Sequence, residues 1–368
     1  MKEVEGKYAA AKIFTDDVED YAIAQIRQLC DQPAFEGSKI RVMPDVHPGK
    51  VGTIGFTATV KDKIMPNVIG VDIGCGMFMQ QFRAKGVELQ RLDTVIRECV
   101  PSGHSSRAEA HWFADRIDLG MLRCAKHIDI DRAYRSLGTL GGGNHFIEID
   151  TDERKQNYLI IHTGSRHLGK EVIDHYLREG HRRIKDTDKD AAFELTWLED
   201  DLKADYLYDM IIVQKFAEIN RRAIAYEITK GMKWKVMEEF SCIHNYIDFS
   251  YDTPIMRKGA ISARKDEDVI IPINMRDGVL VGKGIGNADW NYSAPHGAGR
   301  LASREETKRN YTLSDFKKEM KGIYSPSISK DTLDEAPFAY RPLDQILPYI
   351  TDTVEITKRL KPIYNFKA

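Results

Sequence analysis

Val18, Tyr21, Ala22, Ile26 and Leu29 recur at the three- and four-residue spacing of one helix face. The spacing predicts a helix opened by Thr15-Asp16-Asp17 and closed before Pro33. The pattern then shortens. Residues 39–43, 53–60 and 68–73 are brief, rich in branched side chains and separated by Pro and Gly, which predicts strands. Residues 87–127 predict mainly helix, 158–162 a compact apolar strand that delivers His162 at its end, and 169–185 a further helix. The longest helical pattern runs through 193–237, with Leu202, Val213, Phe216, Ile219, Ile224 and Ile228 on its apolar side. Two helices or one bent helix fit it. Strands return at 241–244, 259–263, 269–273 and 279–281, before a helical and irregular C-terminal part. Strands in both halves around a long helical stretch predict an α+β fold rather than regular βαβ alternation.

Composition refines this picture. The 368 residues contain no linker-like or low-complexity tract, which predicts one domain over 1–368 with a helical insertion at about 193–240. No apolar run approaches the length of a membrane span, and Met1-Lys2-Glu3-Val4-Glu5 has no apolar signal segment, so the chain reads as cytoplasmic. Five irregularly spaced cysteines argue against a disulfide framework. A net charge of -2 supplies no global attraction for nucleic acid. Any such partner must use local basic groups: residues 178–185, Arg221-Arg222, Arg257-Lys258, Arg264-Lys265 and Lys358-Arg359. Each of these alone reads as a solvated face or loop.

The chemistry concentrates in a few strings. His296 stands in Tyr292-Ser293-Ala294-Pro295-His296-Gly297-Ala298-Gly299-Arg300, where small neighbours let a bulky anion approach an imidazole and Arg300 offers a planar fork for phosphate oxygens. That suits a histidine nucleophile. Upstream, Asp72 and Cys75 with His145, His162 and His244 offer a carboxylate, a thiolate and three imidazoles. Five ligands suit two metals, with the thiolate as a bridge, and the residue types alone suggest zinc. Asn144 and Asn245 flank two of the histidines and, with Arg166 and Arg300, are candidate phosphate contacts. His47 sits in a Pro-Gly context that equally suits a turn and is left out of the ligand set.

Met43-Pro44-Asp45-Val46-His47-Pro48-Gly49, Asp72-Ile73-Gly74-Cys75-Gly76, Gly141-Gly142-Gly143-Asn144-His145, His162-Thr163-Gly164-Ser165-Arg166 and His296-Gly297-Ala298-Gly299-Arg300 appear in this order along nearly the whole chain. Together they resemble the RtcB family of RNA ligases. The resemblance implies stacked central sheets surrounded by helices, and two manganese ions in place of zinc. Cys75, His162 and His244 would hold one ion; Asp72, Cys75 and His145 would hold the other. It implies GTP as cofactor, with His296 carrying GMP, Asp45 at a functional position, Glu148 and Lys367 reading the guanine edge, and Tyr340 stacking on the base. It implies RNA ends bearing a 3′-phosphate or 2′,3′-cyclic phosphate joined to 5′-hydroxyl ends, as in tRNA or rRNA repair or splicing. No residue pattern names the particular RNA or an accessory activating protein.

The chain departs from the family at Ile273-Asn274-Met275-Arg276-Asp277-Gly278, where a Gly-Ser-Met-Gly stretch is usual, and it is compact after Pro48-Gly49. The first departure bears on GTP preference. Two other readings remain: a metal-dependent 2′,3′-cyclic phosphodiesterase that does not ligate, and a catalytically idle RNA-binding homologue. A longer or circular product from a defined RNA separates the first from a ligase. Metal uptake and a nucleotide adduct separate the second.

Overall fold

A computed structural model of the chain describes residues 1–186 and 191–368. Its centre is a seven-stranded antiparallel sheet with neighbours in the order Asp268–Asn274, Gly278–Gly284, Val354–Phe366, Phe146–Thr151, Asn157–Thr163, Gly76–Arg83 and Lys235–Ile243. A six-stranded sheet runs Lys2–Glu5, Ala10–Ile13, Ile40–His47, Ile54–Thr59, Ile255–Lys258 and Asn245–Asp248. A two-stranded ladder pairs Ala260–Ser262 with Ser293–Pro295 and carries the chain to His296.

Period-two alternation explains how the central strands of the larger sheet, Phe146–Thr151 and Asn157–Thr163, are buried on both faces. Ile147, Ile149, Leu159 and Ile161 pack with Ile224 and Ile228 of the helix Asp200–Met232. Phe146, Tyr158 and Ile160 pack on the other face with Met77, Met79, Ile270 and Leu360. Each fully buried aliphatic side chain contributes roughly 1.5–3 kcal/mol of transfer free energy, so this two-sided core outweighs any local propensity.

Of the long periodic stretch 193–237, only Asp200–Met232 is α-helix, one of 33 residues opened by Asp200 and Asp201 and ended by Lys233 in the left-handed region; Phe193–Leu195 before it is a 3-10 turn and Lys235 already begins a strand. The helix is integral to the core, since Val213 and Phe216 join one apolar cluster and Ile224 and Ile228 another.

Several elements differ from the sequence pattern for identifiable reasons. The first helix spans Asp20–Cys30, because the Thr15 hydroxyl accepts from the Asp17 amide and closes a separate turn before it. Residues 68–73 are no strand: Pro66 favours a first helical turn, Pro66–Ile69 is helical, and Gly70 at φ 102 redirects the chain. Only Leu89–Cys99 is a full helix within 87–127, and the remainder, broken by Pro101 and Gly103, holds three short 3-10 turns and residues without regular structure. The C-terminal part contains a 13-residue strand, Val354–Phe366, at the middle of the larger sheet. Its Pro362 lies at a register shift, where a missing N–H is tolerated.

Candidate active site

Five side chains converge where loops leave the larger sheet. Cys75 immediately precedes the strand Gly76–Arg83, His162 lies near the end of Asn157–Thr163, and His244 follows Lys235–Ile243. Register pairs Met77 with His162 and Phe146 with His162, so neighbouring strands deliver Cys75 and His145 to the same edge. Cys75 Sγ lies 3.4 Å from His162 Nε2 and 3.6 Å from His145 Nε2. His162 Nε2 is 3.4 Å from His244 Nε2, and His145 Nε2 is 3.0 Å from Asp72 Oδ2.

The ring orientations are set from behind. His145 Nδ1 faces the Leu140 carbonyl at 3.0 Å and His162 Nδ1 faces the Asn144 carbonyl at 3.1 Å, which turns both Nε2 atoms inward. Burial, reinforced by neighbouring imidazoles, holds His162 and His244 well below their ordinary pKa and therefore neutral. Burial pushes the Cys75 thiol up, and Asp72 adds to it. Burial would also raise Asp72, but hydrogen bonding with His145, Cys75 and Ser165 outweighs it and brings the carboxyl to about 2.

Two ligand groups emerge, Cys75 with His162 and His244, and Asp72 with Cys75 and His145; within each, the donor atoms lie within 4.8 Å of one another. Inward-facing imidazole lone pairs around a buried sulfur fit divalent cations, which would also reverse the penalty on the thiolate.

His296 stands beside this centre. Its ring is 4.7 Å from that of His244, and its Nδ1 is 2.8 Å from Asp45 Oδ2. Asp45 is fully buried on the strand Ile40–His47. Gly299, at φ +77, passes so close that a Cβ would meet the Asp45 carbonyl oxygen at 2.7 Å, which accounts for a glycine there. His47 turns its Nδ1 to the same carbonyl at 2.9 Å, and burial lowers it to about 4, so it is neutral.

One cleft is lined by Asn144, Glu148, His162, His296, Arg300, Tyr340 and Lys367. Asn245 is placed differently: its amide donates to the Asp72 carbonyl at 3.1 Å and accepts from Gly259 N–H at 3.0 Å, bracing the loop that carries Asp72. Arg166 lies in an adjoining cleft with Asp72, His104, Arg132 and Lys170. It donates to Thr139 Oγ1 and the Gly103 carbonyl.

The model of the family described as tRNA-splicing ligase RtcB matches residues 25–368. The chain belongs to the RtcB family of RNA ligases. The RNA-splicing ligase RtcB of Escherichia coli (strain K12) is 30% identical over 375 residues, covering 89% of this chain and 90% of its own length. The tRNA-splicing ligase RtcB of Nanoarchaeum equitans is 27% identical over 459 residues, covering 98% and 94% respectively. The RNA-splicing ligase RtcB2 of Escherichia coli (strain ATCC 25922) is 27% identical over 403 residues, covering 98% of both chains.

In this RtcB-family chain, sequence reasoning missed Glu335 and treated Arg221 as a surface basic residue. Glu335 accepts from Lys367 Nζ at 2.8 Å and from the Tyr340 hydroxyl at 2.6 Å, and pairs with Arg300 and Arg304. It thereby ties four residues of the cleft together. Arg221 is fully buried behind the ligands and donates to the Gly74 and Thr163 carbonyls at 2.8 Å. The Asp334-Glu335 pair just before Ala-Pro-Phe-Ala-Tyr was the available signal for the first; nothing in the string marks the second.

Several of the other basic groups are taken up by acidic partners. Arg257 is buried against Asp248 at 2.6 Å, Arg183 pairs with Asp201 and Arg264 with Glu267. The unusual segment is also accommodated: Arg276 turns to Asp277 and Glu319, while Ile273, Asn274 and Met275 line the cleft. Among the described residues, no helix is long and apolar enough to cross a membrane.

Proposed function

We propose that this chain joins RNA 3′-phosphate or 2′,3′-cyclic phosphate ends to 5′-hydroxyl ends, with GTP as the activating nucleotide and two manganese ions. The observation that carries this reading is the Asp45-anchored His296, which shares its cleft with His162 and lies 4.7 Å, ring to ring, from His244, so that it stands against the first ligand group. Asp45 occupies Nδ1, which leaves Nε2 as the nucleophilic lone pair. Asp72, Cys75, His145, His162 and His244 would hold the ions. When bound, these ions supply charge neutralisation on phosphate oxygens and hard positions for oxygen ligands.

His296 Nε2 attacks the α-phosphorus of GTP, forming a P–N bond and releasing pyrophosphate. The GMP group passes to an oxygen of the RNA 3′-phosphate, which frees His296. The 5′-hydroxyl of the second end then attacks the activated 3′-phosphorus, loses its proton and expels GMP. A cyclic phosphate end is first opened by water to the 3′-phosphate. Throughout, Arg300 and Asn144 contact phosphate, and Glu148 and Lys367 receive the guanine. Tyr340 forms the wall against the base. Asn245 acts through the Asp72 loop, whose carbonyl it holds.

Incubation with α-labelled GTP and manganese, followed by a denaturing gel, tests the central step. Label on the wild type and none on His296→Ala is the expected result. Label retained by His296→Ala would overturn the assignment, and an unlabelled wild type that still cleaves cyclic phosphate ends would make it a phosphodiesterase.

A further inference from the structure

Glu148 and Asp150 stand two residues apart on the strand Phe146–Thr151, so both side chains project to the same face. Glu148 is 2% exposed and Asp150 0%. The two strands beside them place Ile160 and Asn365 opposite Glu148, and Tyr158 and Pro362 opposite Asp150. The polar surroundings are therefore unequal. Glu148 accepts from Asn365 Nδ2 at 2.5 Å and feels the Lys367 ammonium, which Glu335 also holds. Among the described residues, neither oxygen of Asp150 meets an N–H or O–H donor. Tyr158 sends its hydroxyl away to Asp152 and lies 3.4 Å from Lys358 Nζ, and among the described residues no cation reaches Asp150. Among the described residues, the polar group that meets it is the Glu148 carboxyl, within hydrogen-bonding reach.

Two carboxylates cannot both stay charged side by side in an apolar layer. Burial raises both groups, and Asp150 further because Glu148 repels its charge while nothing attracts it. A single proton on Asp150 satisfies both members: the acid donates to Glu148, and Glu148 keeps its charge facing Asn365, Lys367 and the cleft.

We propose that Asp150 is a positioning residue that holds this proton and so fixes Glu148 as the charged acceptor for the guanine base, setting nucleotide selectivity and its pH range. The proposal rests on the reading that Glu148 receives guanine. Guanine presents two N–H donors on one edge, which an ionised carboxylate accepts together; adenine presents a ring acceptor there. A second proton on the pair would turn Glu148 into a donor and erase that distinction. Guanosine affinity therefore falls as pH drops through the titration of Glu148.

Two measurements on the intact chain test it without turnover. Infrared difference spectra of wild type against Asp150→Asn at neutral pH should show a protonated-carboxyl band that the variant lacks. Guanosine binding by calorimetry across pH should be held within about twofold by Asp150→Asn, whose amide still donates to Glu148. Asp150→Leu, which cannot donate, should weaken guanosine about tenfold at neutral pH and move the acid limb to higher pH. An absent protonated-carboxyl band, an Asp150→Leu profile that superimposes on wild type, or Asp150→Asn behaving like Asp150→Leu would overturn the proposal. Wild type that shows the band yet binds no guanosine would instead overturn the guanine reading on which selectivity rests.

Discussion

His296 Nδ1 lies 2.8 Å from Oδ2 of Asp45, a carboxylate with no solvent exposure on a strand of the six-stranded sheet. The pair links the two sheets: one supplies the carboxylate that orients the imidazole, the other carries His162 and leads into His244, members of the candidate ligand group beside it. A buried carboxylate on Nδ1 selects the tautomer with its lone pair on Nε2 and, in the proposed reaction, would stabilise the positive charge on the ring when Nε2 bonds to phosphorus. Asp45→Asn keeps the shape and loses the charge. Its nucleotide labelling should slow by roughly a hundredfold or more while its thermal unfolding stays close to wild type. Single-turnover labelling rates check this, and a wild-type rate would make Asp45 a structural residue only.

Cys75 belongs to both ligand groups, whereas His145 belongs to one. Substitutions should therefore differ in stoichiometry as well as affinity. Cys75→Ala should lose both ions at micromolar manganese. His145→Ala should keep the ion held by Cys75, His162 and His244. Metal content per chain after gel filtration reads the difference, and equal losses from the two variants would refute a shared thiolate.

That Asp72, Cys75, His145, His162 and His244 meet beside His296 was legible because each is a chemically specific residue inside an unusual string, and spacing along the chain did not need to reveal how the loops meet. The fold around them was less so. Val354–Phe366 carries Lys358, Arg359, Lys361 and Pro362, which obscure strand alternation although neighbouring strands supply its partners. Arg221 reads as a surface cation until the helix is packed, since only the tertiary fold brings the Gly74 and Thr163 carbonyls to its guanidinium. Glu335 acquires its role from Lys367, 32 residues later, and from Arg300, 35 residues earlier. Such meanings are set by long-range packing, which a single string does not encode locally.

Glu335 supplies a prediction about pH. Burial alone would raise its carboxyl, but Lys367 and Arg304, with the Tyr340 hydroxyl, bring it from the ordinary 4.5 to about 2. A carboxylate with a depressed folded-state pKa stabilises the fold above its ordinary value, and that contribution is lost as pH falls from about 4.5 towards about 2. Glu335→Gln leaves the Lys367 ammonium buried without its counter-charge, a defect worth about 3 kcal/mol. The variant should be less stable by that order at neutral pH, and the two unfolding curves should converge towards pH 2. Urea unfolding at a series of pH values measures the gap. A gap of constant size down to the acid end would show that the ion pair is not its source.

Gly164 sits where Asp72 needs room. A Cβ at this position would lie 2.2 Å from Asp72 Oδ1, the oxygen that accepts from the Ser165 amide at 2.8 Å. The carboxylate has little freedom to step aside, because its other oxygen faces His145 Nε2 at 3.0 Å. Gly164→Ala should therefore push Asp72 out of register with Cys75 and His145 while leaving His162 and His244 in place. The ion of the Asp72 group should bind at least about tenfold more weakly, the other ion with nearly wild-type affinity, as Asp72→Ala would also show. Manganese titration by calorimetry resolves the two classes of site. If Gly164→Ala bound both ions as wild type does, the close approach would be absorbed elsewhere in the loop, and the glycine in His-x-Gly-Ser-Arg would have no part in shaping the metal centre.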